Sequence, residues 1–289
     1  MAQRCEGLNT IHGHPCFGGD QKRNGRIHLP VAPRCNIKCR YCTRRHDCVN
    51  ESRPGVTSRL ISPDEALEKV RQIMASPVLG QIIKVVGIAG PGDPLANEET
   101  FTTFRLVGKE FPHLVKCLST NGLLLPDAIG NLRQIGLGSL TVTVNCLNPA
   151  VGAKIYSWFH YGGKRYSGVE GAALLIRNQL AGIEQAARFG IVVKVNTVFI
   201  PGINEDEIHL IAAETGARGA SVMNIMPLIP QAGFAGITPP SHERIETVRR
   251  ANKQIIGQFQ HCRQCRADAV GIIGGDETVD RYSTQSNRR

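Results

Sequence analysis

Cys35-Asn36-Ile37-Lys38-Cys39-Arg40-Tyr41-Cys42 follows the apolar run at residues 27–32 and decides how this chain is read. Its three cysteines fall within eight residues at CxxxCxxC spacing. Soft thiolates select iron–sulfur clusters, zinc or copper over hard cations. Three thiolates can hold three irons of a 4Fe–4S cubane and leave the fourth iron open, where a small molecule can bind. Structural zinc wants a closed set of four ligands, so the odd ligand number argues against a zinc loop.

Outward from this loop, apolar β-branched runs alternate with amphipathic segments as far as about residue 228. The pattern predicts strands at 27–32, 83–89, 114–119, 140–145, 191–199 and 222–228. It predicts helices at 63–75, 98–110, 126–134, 170–189, 204–215 and 241–257. Pro30 cannot donate to a ladder and places the end or edge of the first strand near it. Ser62-Pro63-Asp64-Glu65 reads as a capping box, Ser241 as a second cap, and Gly190 as a helix stop. Strands alternating with helices imply a parallel sheet with right-handed crossovers. The fold expected is α/β, a partial six-unit (β/α) barrel over residues 26–257. Extensions at 1–25 and 258–289 both carry cysteines. The polar end at 282–289 is expected to be disordered.

The bulk properties bound the function. Hydrophobic content of 42% and charged content of 20% suit a globular protein of one large domain or two small ones. No apolar stretch is long enough to cross a bilayer, and the start has no signal-peptide core. A cytoplasmic chain is expected, with its ten cysteines as reduced thiols or metal ligands. The net charge of +10 invites a nucleic-acid reading, but aromatics make up only 5% and no such motif appears. A basic surface equally attracts anionic clusters or acidic protein partners.

The triplet, with an aromatic just before its last cysteine, resembles the signature of the radical S-adenosylmethionine (SAM) superfamily. That resemblance implies that the open iron chelates the amino and carboxylate groups of SAM. Ligands of parallel sheets bind outside the carboxyl ends of the strands, and the notable residues here fall at those ends. Gly90-Pro91-Gly92-Asp93-Pro94 follows the second strand and resembles the glycine-rich motif that receives the SAM ammonium, although a turn also explains it. Asn121 and Asn145 end later strands and are candidates for ribose or carboxylate oxygens, with turn or cap roles as the alternative. Tyr41 is placed to pack near adenine or simply in the core. Glu65 has a sufficient reason in its cap, and no catalytic side chain is assigned.

Seven cysteines remain: Cys5, Cys16, Cys48, Cys117, Cys146, Cys262 and Cys265. Cys262-Arg263-Gln264-Cys265 is a CxxC pair, read as a metal chelate or a redox dithiol. His12-Gly13-His14-Pro15-Cys16 gathers two imidazoles and a thiol. Cys117 shares a strand face with Val115 and Ser119, where it either reaches a cluster from inside the barrel or fills a small core site. Cys16, Cys117, Cys262 and Cys265 complete one auxiliary cubane, or hold two incompletely with histidine helping.

His14-Pro15-Cys16, the triplet, the stretch 47–56, Gly90–Pro94, residues 119–122 and the CxxC pair together resemble the NifB family of nitrogenase cofactor biosynthesis proteins. The likeness runs from about residue 13 to 275. It implies three 4Fe–4S clusters, one held by Cys35, Cys39 and Cys42 for SAM cleavage. It assigns Cys16, Cys117, Cys262 and Cys265, with His14 or His12, to two clusters that are fused with an added sulfur. The resemblance further implies that carbide from a SAM methyl group is inserted, giving an 8Fe–9S–C precursor. A cluster sulfide takes the methyl, and a 5′-deoxyadenosyl radical then abstracts hydrogen from it. The expected partners are SAM, cluster donors, carrier or scaffold proteins of nitrogenase assembly, and a reductant such as a ferredoxin. Many bacterial relatives add a carrier-like carboxy-terminal domain, and this chain resembles the short form without it. Two other readings stay open: a radical SAM enzyme whose auxiliary cluster binds an organic substrate, and a non-enzymatic iron–sulfur carrier or zinc-bearing nucleic-acid binder.

Overall fold

A computed structural model describes residues 14–17, 20, 23–44, 47–48, 57, 59–262, 265–274 and 277–278. The sequence readings that involve Cys5, His12, residues 49–56, Arg263, Gln264 and 279–289 lie outside the described residues.

Six strands form the parallel core: β1 (Gly25–His28), β3 (Ile83–Ile88), β4 (Val115–Thr120), β5 (Leu137–Thr143), β8 (Val192–Phe199) and β9 (Ala220–Pro227). They lie side by side in the order β9-β8-β5-β4-β3-β1, every neighbouring pair parallel. The sheet is open and curls as a partial barrel. Short strands extend it at both ends, β10 (Gly257–Gln258) on β9, and β11 (Ala269–Gly271) with β12 (Glu277–Thr278) antiparallel on β1.

The first strand ends at His28, before Pro30, Leu29 donates to Gly87 O at 2.9 Å, and beyond Pro30 only an isolated bridge at Ala32 continues the pairing. Ser62 and Glu65 close the capping box of the helix Pro63–Met74, and Ser241 caps His242–Asn252. The latter ends at Asn252, short of the expected 257, because the chain turns there to add β10. Helices Glu98–Glu110, Leu125–Gln134, Gly168–Arg188 and Glu207–Ala217 fill the remaining crossovers.

Alternate strand positions sort the two faces of the sheet. Ile27, Val86, Leu118, Leu140, Val142, Val193 and Val195 pack outward against the helices and form the main core. Buried polar residues, among them Arg26, Ser139, Thr141, Lys194, Asn196 and Asn224, alternate with them. Such an interior is unusual for a packed barrel and marks a place built for a polar ligand.

A second, three-stranded sheet was not visible in the hydrophobic pattern. Its order is β2-β6-β7, from β2 (Ile37–Cys39), β6 (Tyr156–Tyr161) and β7 (Lys164–Tyr166). It rests on a second core of Ile37, Tyr41, Ile155, Tyr156 and Phe159. Among the described residues no helix is long and apolar enough to cross a membrane.

Candidate metal and cofactor site

The triplet is held by pairing rather than by a free loop. Ile37 pairs with Phe159, Lys38 with Trp158 and Cys39 with Tyr156, so the loop is anchored along β6. Cys42 N donates to Cys39 O at 3.1 Å, and Lys38 Nζ donates to Cys42 O at 2.5 Å. Arg44 also donates to the carbonyl of Ile37. Cys39 is buried, and Cys35 and Cys42 are half-buried. Burial, then the nearby Asp93, pushes the Cys35 thiol up to about 11. Burial, then Cys42 and Cys35, pushes Cys39 up as well. A metal held here would have to displace these protons, since the ligand is the thiolate.

Gly90–Pro94 packs directly on the loop. Gly92 N donates to Ala32 O at 2.6 Å, and Asp93 N donates to Arg34 O at 2.8 Å. A Cβ on Gly92 would stand 2.2 Å from Arg34 O, so only glycine fits here. Asp93 is buried and accepts from Leu95 N at 3.0 Å, Thr120 Oγ1 at 2.9 Å and Asn121 N at 2.6 Å. Burial lifts its carboxyl to about 6 against the pull of those donors. Asn121 Nδ2 donates to Asn36 Oδ1 at 2.7 Å and lies 3.9 Å from Cys35 Sγ. Asp93 and Asn121 thus bind the ends of β3 and β4 to the cysteine loop.

Asn145 and Tyr41 belong to a buried network. Asn145 Nδ2 donates to Tyr41 Oη at 2.8 Å and Tyr156 Oη at 3.1 Å, while its Oδ1 accepts from Val198 N at 2.9 Å. These bonds commit the Asn145 amide within the chain and fix the loop against β5 and β8.

A second donor set lies inside the sheet, formed by both extensions. Cys16 feels the charges of Lys194, Cys265, Arg26 and Cys117, although burial dominates and raises its thiol to about 12. Arg26, fully buried, donates to Cys265 Sγ at 2.8 Å and to Gly271 O at 2.7 Å. Lys194 lies over the Phe17 ring at 5.1 Å and the Phe259 ring at 5.4 Å. His14 is buried, and desolvation followed by Lys194, His28 and Arg26 keeps its imidazole neutral. Its Nδ1 accepts from Cys16 N at 3.0 Å, and its buried Nε2 has no hydrogen-bond partner among the described residues. The hydrogen bond assigns the proton to Nε2, so ligation there requires the other tautomer and release of the Cys16 amide.

Cys117 and Cys265 therefore lie within electrostatic reach of Cys16, whose amide donates to His14. Cys262, the other half of the CxxC pair, packs instead against the second core, which also supports Cys35 and Cys42. Cys48 is half-buried near Tyr41 and Tyr156. Cys146 is buried with its sulfur beside Gly152, in an ordinary core position. No three His, Cys, Asp or Glu side chains among the described residues converge on a point for a single ion. Soft thiols spread over a loop suit separate irons of a cluster.

Arg26, His28 and Lys194 were missed from sequence. The signal was available: basic residues at alternate positions of strands buried on both faces.

The chain matches the radical SAM superfamily over residues 29–214. It is 43% identical over 283 residues to the FeMo cofactor biosynthesis protein NifB of Methanocaldococcus infernus, covering 97% of this chain and 92% of that one. It is 46% identical over 274 residues to NifB of Klebsiella pneumoniae, covering 92% of this chain but only 58% of the relative. Among solved structures, Streptococcus suis SuiB superposes with a TM-score of 0.57 at 11% identity, covering 81% of this chain and 48% of that one, a likeness of fold alone. With the cysteine triplet standing inside the matched region, the chain belongs to the NifB family of FeMo cofactor biosynthesis proteins, within the radical SAM superfamily.

Proposed function

We propose that this chain takes part in nitrogenase cofactor biosynthesis by cleaving SAM beside an iron–sulfur substrate held in the same barrel. Cys35, Cys39 and Cys42 would hold the resident cluster, which would bind SAM and supply the electron for its cleavage. The backbone of Gly90 and Gly92 receives the SAM ammonium. Asp93 and Asn121 hold that backbone against the loop, and Tyr41 and Asn145 brace the loop from its other side. His14, Cys16, Cys117 and Cys265 hold the substrate, two 4Fe–4S clusters, and Cys262, on the second core, is a further ligand that lies apart from this set. The product is an 8Fe–9S–C precursor with carbide from a SAM methyl group and one added sulfur.

The observation that carries this reading is the polar, cationic barrel interior. Arg26, Lys194 and His28 surround His14, Cys16 and Cys265 where a closed barrel would carry apolar side chains. Thiolate-bound clusters are anionic, and buried positive charge both attracts and stabilises them. An organic substrate gives no reason for thiols from both extensions to meet there. Residues 1–25 and 258–289 serve as ligand-bearing extensions of the 26–257 barrel, in a cytoplasmic protein. Cluster donors, a carrier or scaffold and a ferredoxin-type reductant complete the set of partners.

The test is anaerobic reconstitution followed by reduction with methyl-labelled SAM. The proposal expects 5′-deoxyadenosine, S-adenosylhomocysteine, and label carried by an extractable iron–sulfur product. Deoxyadenosine alone, with no homocysteine product and no label in a cluster, would assign the chain to an organic substrate.

A further inference from the structure

The three-stranded sheet carries Cys39 at the end of β2, with Cys35 and Cys42 flanking that strand, and a row of cations around it. Residues 35–44 and 154–166 contain Lys38, Arg40, Arg44, Lys154, Lys164 and Arg165, and no Asp or Glu. None of these six forms an ion pair with any described residue. By contrast, Arg71, Arg105, Arg188, Arg218 and Arg244, on the outer helices, all meet carboxylates. Trp158 stands at the centre of the basic face. Arg44 lies over its ring at 5.4 Å and Arg165 at 5.5 Å, while His160 meets it edge-on at 4.9 Å. Arg40, Arg44, Lys154, His160, Lys164 and Arg165 are exposed. Neither guanidinium on this indole forms an ion pair with a described residue, and although Arg44 also feels the buried Asp93, two like charges on one ring favour the approach of an anion.

We infer that this face docks a small acidic iron–sulfur electron carrier, resting on the reading that Cys35, Cys39 and Cys42 hold a cluster that must be reduced. The charge chooses the sign of the partner, and position chooses its class. Lys38 pairs with Trp158 inside the strand that ends in Cys39, so a carrier seated on Trp158 is separated from the triplet by little more than β2 itself. Uncompensated charge at an exposed rim acts chiefly on the rate of encounter and on its salt dependence. That suits a carrier that must arrive, deliver one electron and leave.

The test compares the wild type with the double variant Lys164→Glu, Arg165→Glu, both on β7 and away from every cysteine. Each is anaerobically reconstituted and presented with a reduced acidic two-cluster ferredoxin. Two quantities are read: ferredoxin affinity by surface plasmon resonance, and deoxyadenosine formation driven by ferredoxin or by dithionite. The inference expects ferredoxin affinity and the ferredoxin-driven rate to fall about tenfold or more at low salt, with a flatter salt dependence. The dithionite-driven rate stays unchanged and serves as the check on folding and cluster content. Unchanged ferredoxin affinity and rate in the variant would overturn it. Parallel loss of both rates would also overturn it, by showing that the sheet only supports the cluster. A variant that loses binding to single-stranded RNA but not to ferredoxin would give the face to nucleic acid instead. If wild type does not cleave SAM even with dithionite, the proposed function fails, while the ferredoxin affinity still tests the docking surface.

Discussion

Gly92→Ala puts the strongest demand on the account, because its effect is set by backbone atoms that have nowhere to go. The new methyl group would meet Arg34 O at 2.2 Å, the Arg34 carbonyl carbon at 2.6 Å and Pro33 O at 2.8 Å. The two segments have to separate, and the bonds from Gly92 N to Ala32 O and from Asp93 N to Arg34 O stretch or break. Overpacking costs about 1–3 kcal/mol, and each lost hydrogen bond about 1 kcal/mol, for a total of roughly 3–5 kcal/mol. That is a large part of the roughly 5–15 kcal/mol that holds a domain together. Gly130→Ala is the control. Gly130 lies in the helix Leu125–Gln134 with nothing within 4 Å of an added Cβ, so alanine there should stabilise by about 0.5–1 kcal/mol. Urea unfolding of the metal-free chain measures both, and iron retained after gel filtration reports whether Cys35 keeps its place. A Gly92→Ala protein as stable as wild type and equally iron-loaded would refute the packing of the glycine segment on the loop.

Asn145→Ala strips the partner from Val198 N and two buried phenols, and thermal unfolding should show a loss of about 1–3 kcal/mol. Arg26→Met removes the donor to Gly271 O and Cys265 Sγ, and hydrogen exchange in residues 269–271 should accelerate well before that of β4. Asp93 titrates near 6 when folded against 3.8 when free, so its contribution is complete below about 3.8 and lost as pH rises through 6. Metal-free Asp93→Asn protein should show a flatter stability profile across that window. Cys146, raised to about 12 by burial and then by Glu207, stabilises fully below about 9, and this is lost as pH climbs towards 12. Metal-free Cys146→Ala protein should therefore lose less stability between pH 8 and 11 than wild type does.

The six parallel strands were legible because each is an apolar, β-branched run bounded by turn or cap residues, and local chemistry sets such boundaries. Ser62 with Glu65, and Ser241, show this most plainly. The β2-β6-β7 sheet was not legible. Ile37–Cys39 is three residues long, and its partner β6 lies more than a hundred residues away. Pairing of that kind is decided by packing on Tyr41, Tyr156 and Phe159, which no local pattern records. At the site, spacing alone was enough to nominate the cysteine triplet. Lys194 went unread because a charge in a strand is normally taken for a solvated face, and Arg26 because it precedes the apolar run at 27–32. The bonds that occupy Asn145 and Tyr41 depend on residues from four separate elements and only appear once the chain is folded.

The central claim is that one iron of the cluster held by Cys35, Cys39 and Cys42 has no protein ligand and takes SAM. Electron–nuclear double resonance on the reduced, reconstituted protein, with SAM labelled by nitrogen-15 in its amino group and oxygen-17 in its carboxylate, tests it most directly. Hyperfine coupling from both labels is expected, lost in Cys39→Ala. A cluster signal that SAM leaves unchanged, with neither label coupled, would contradict it.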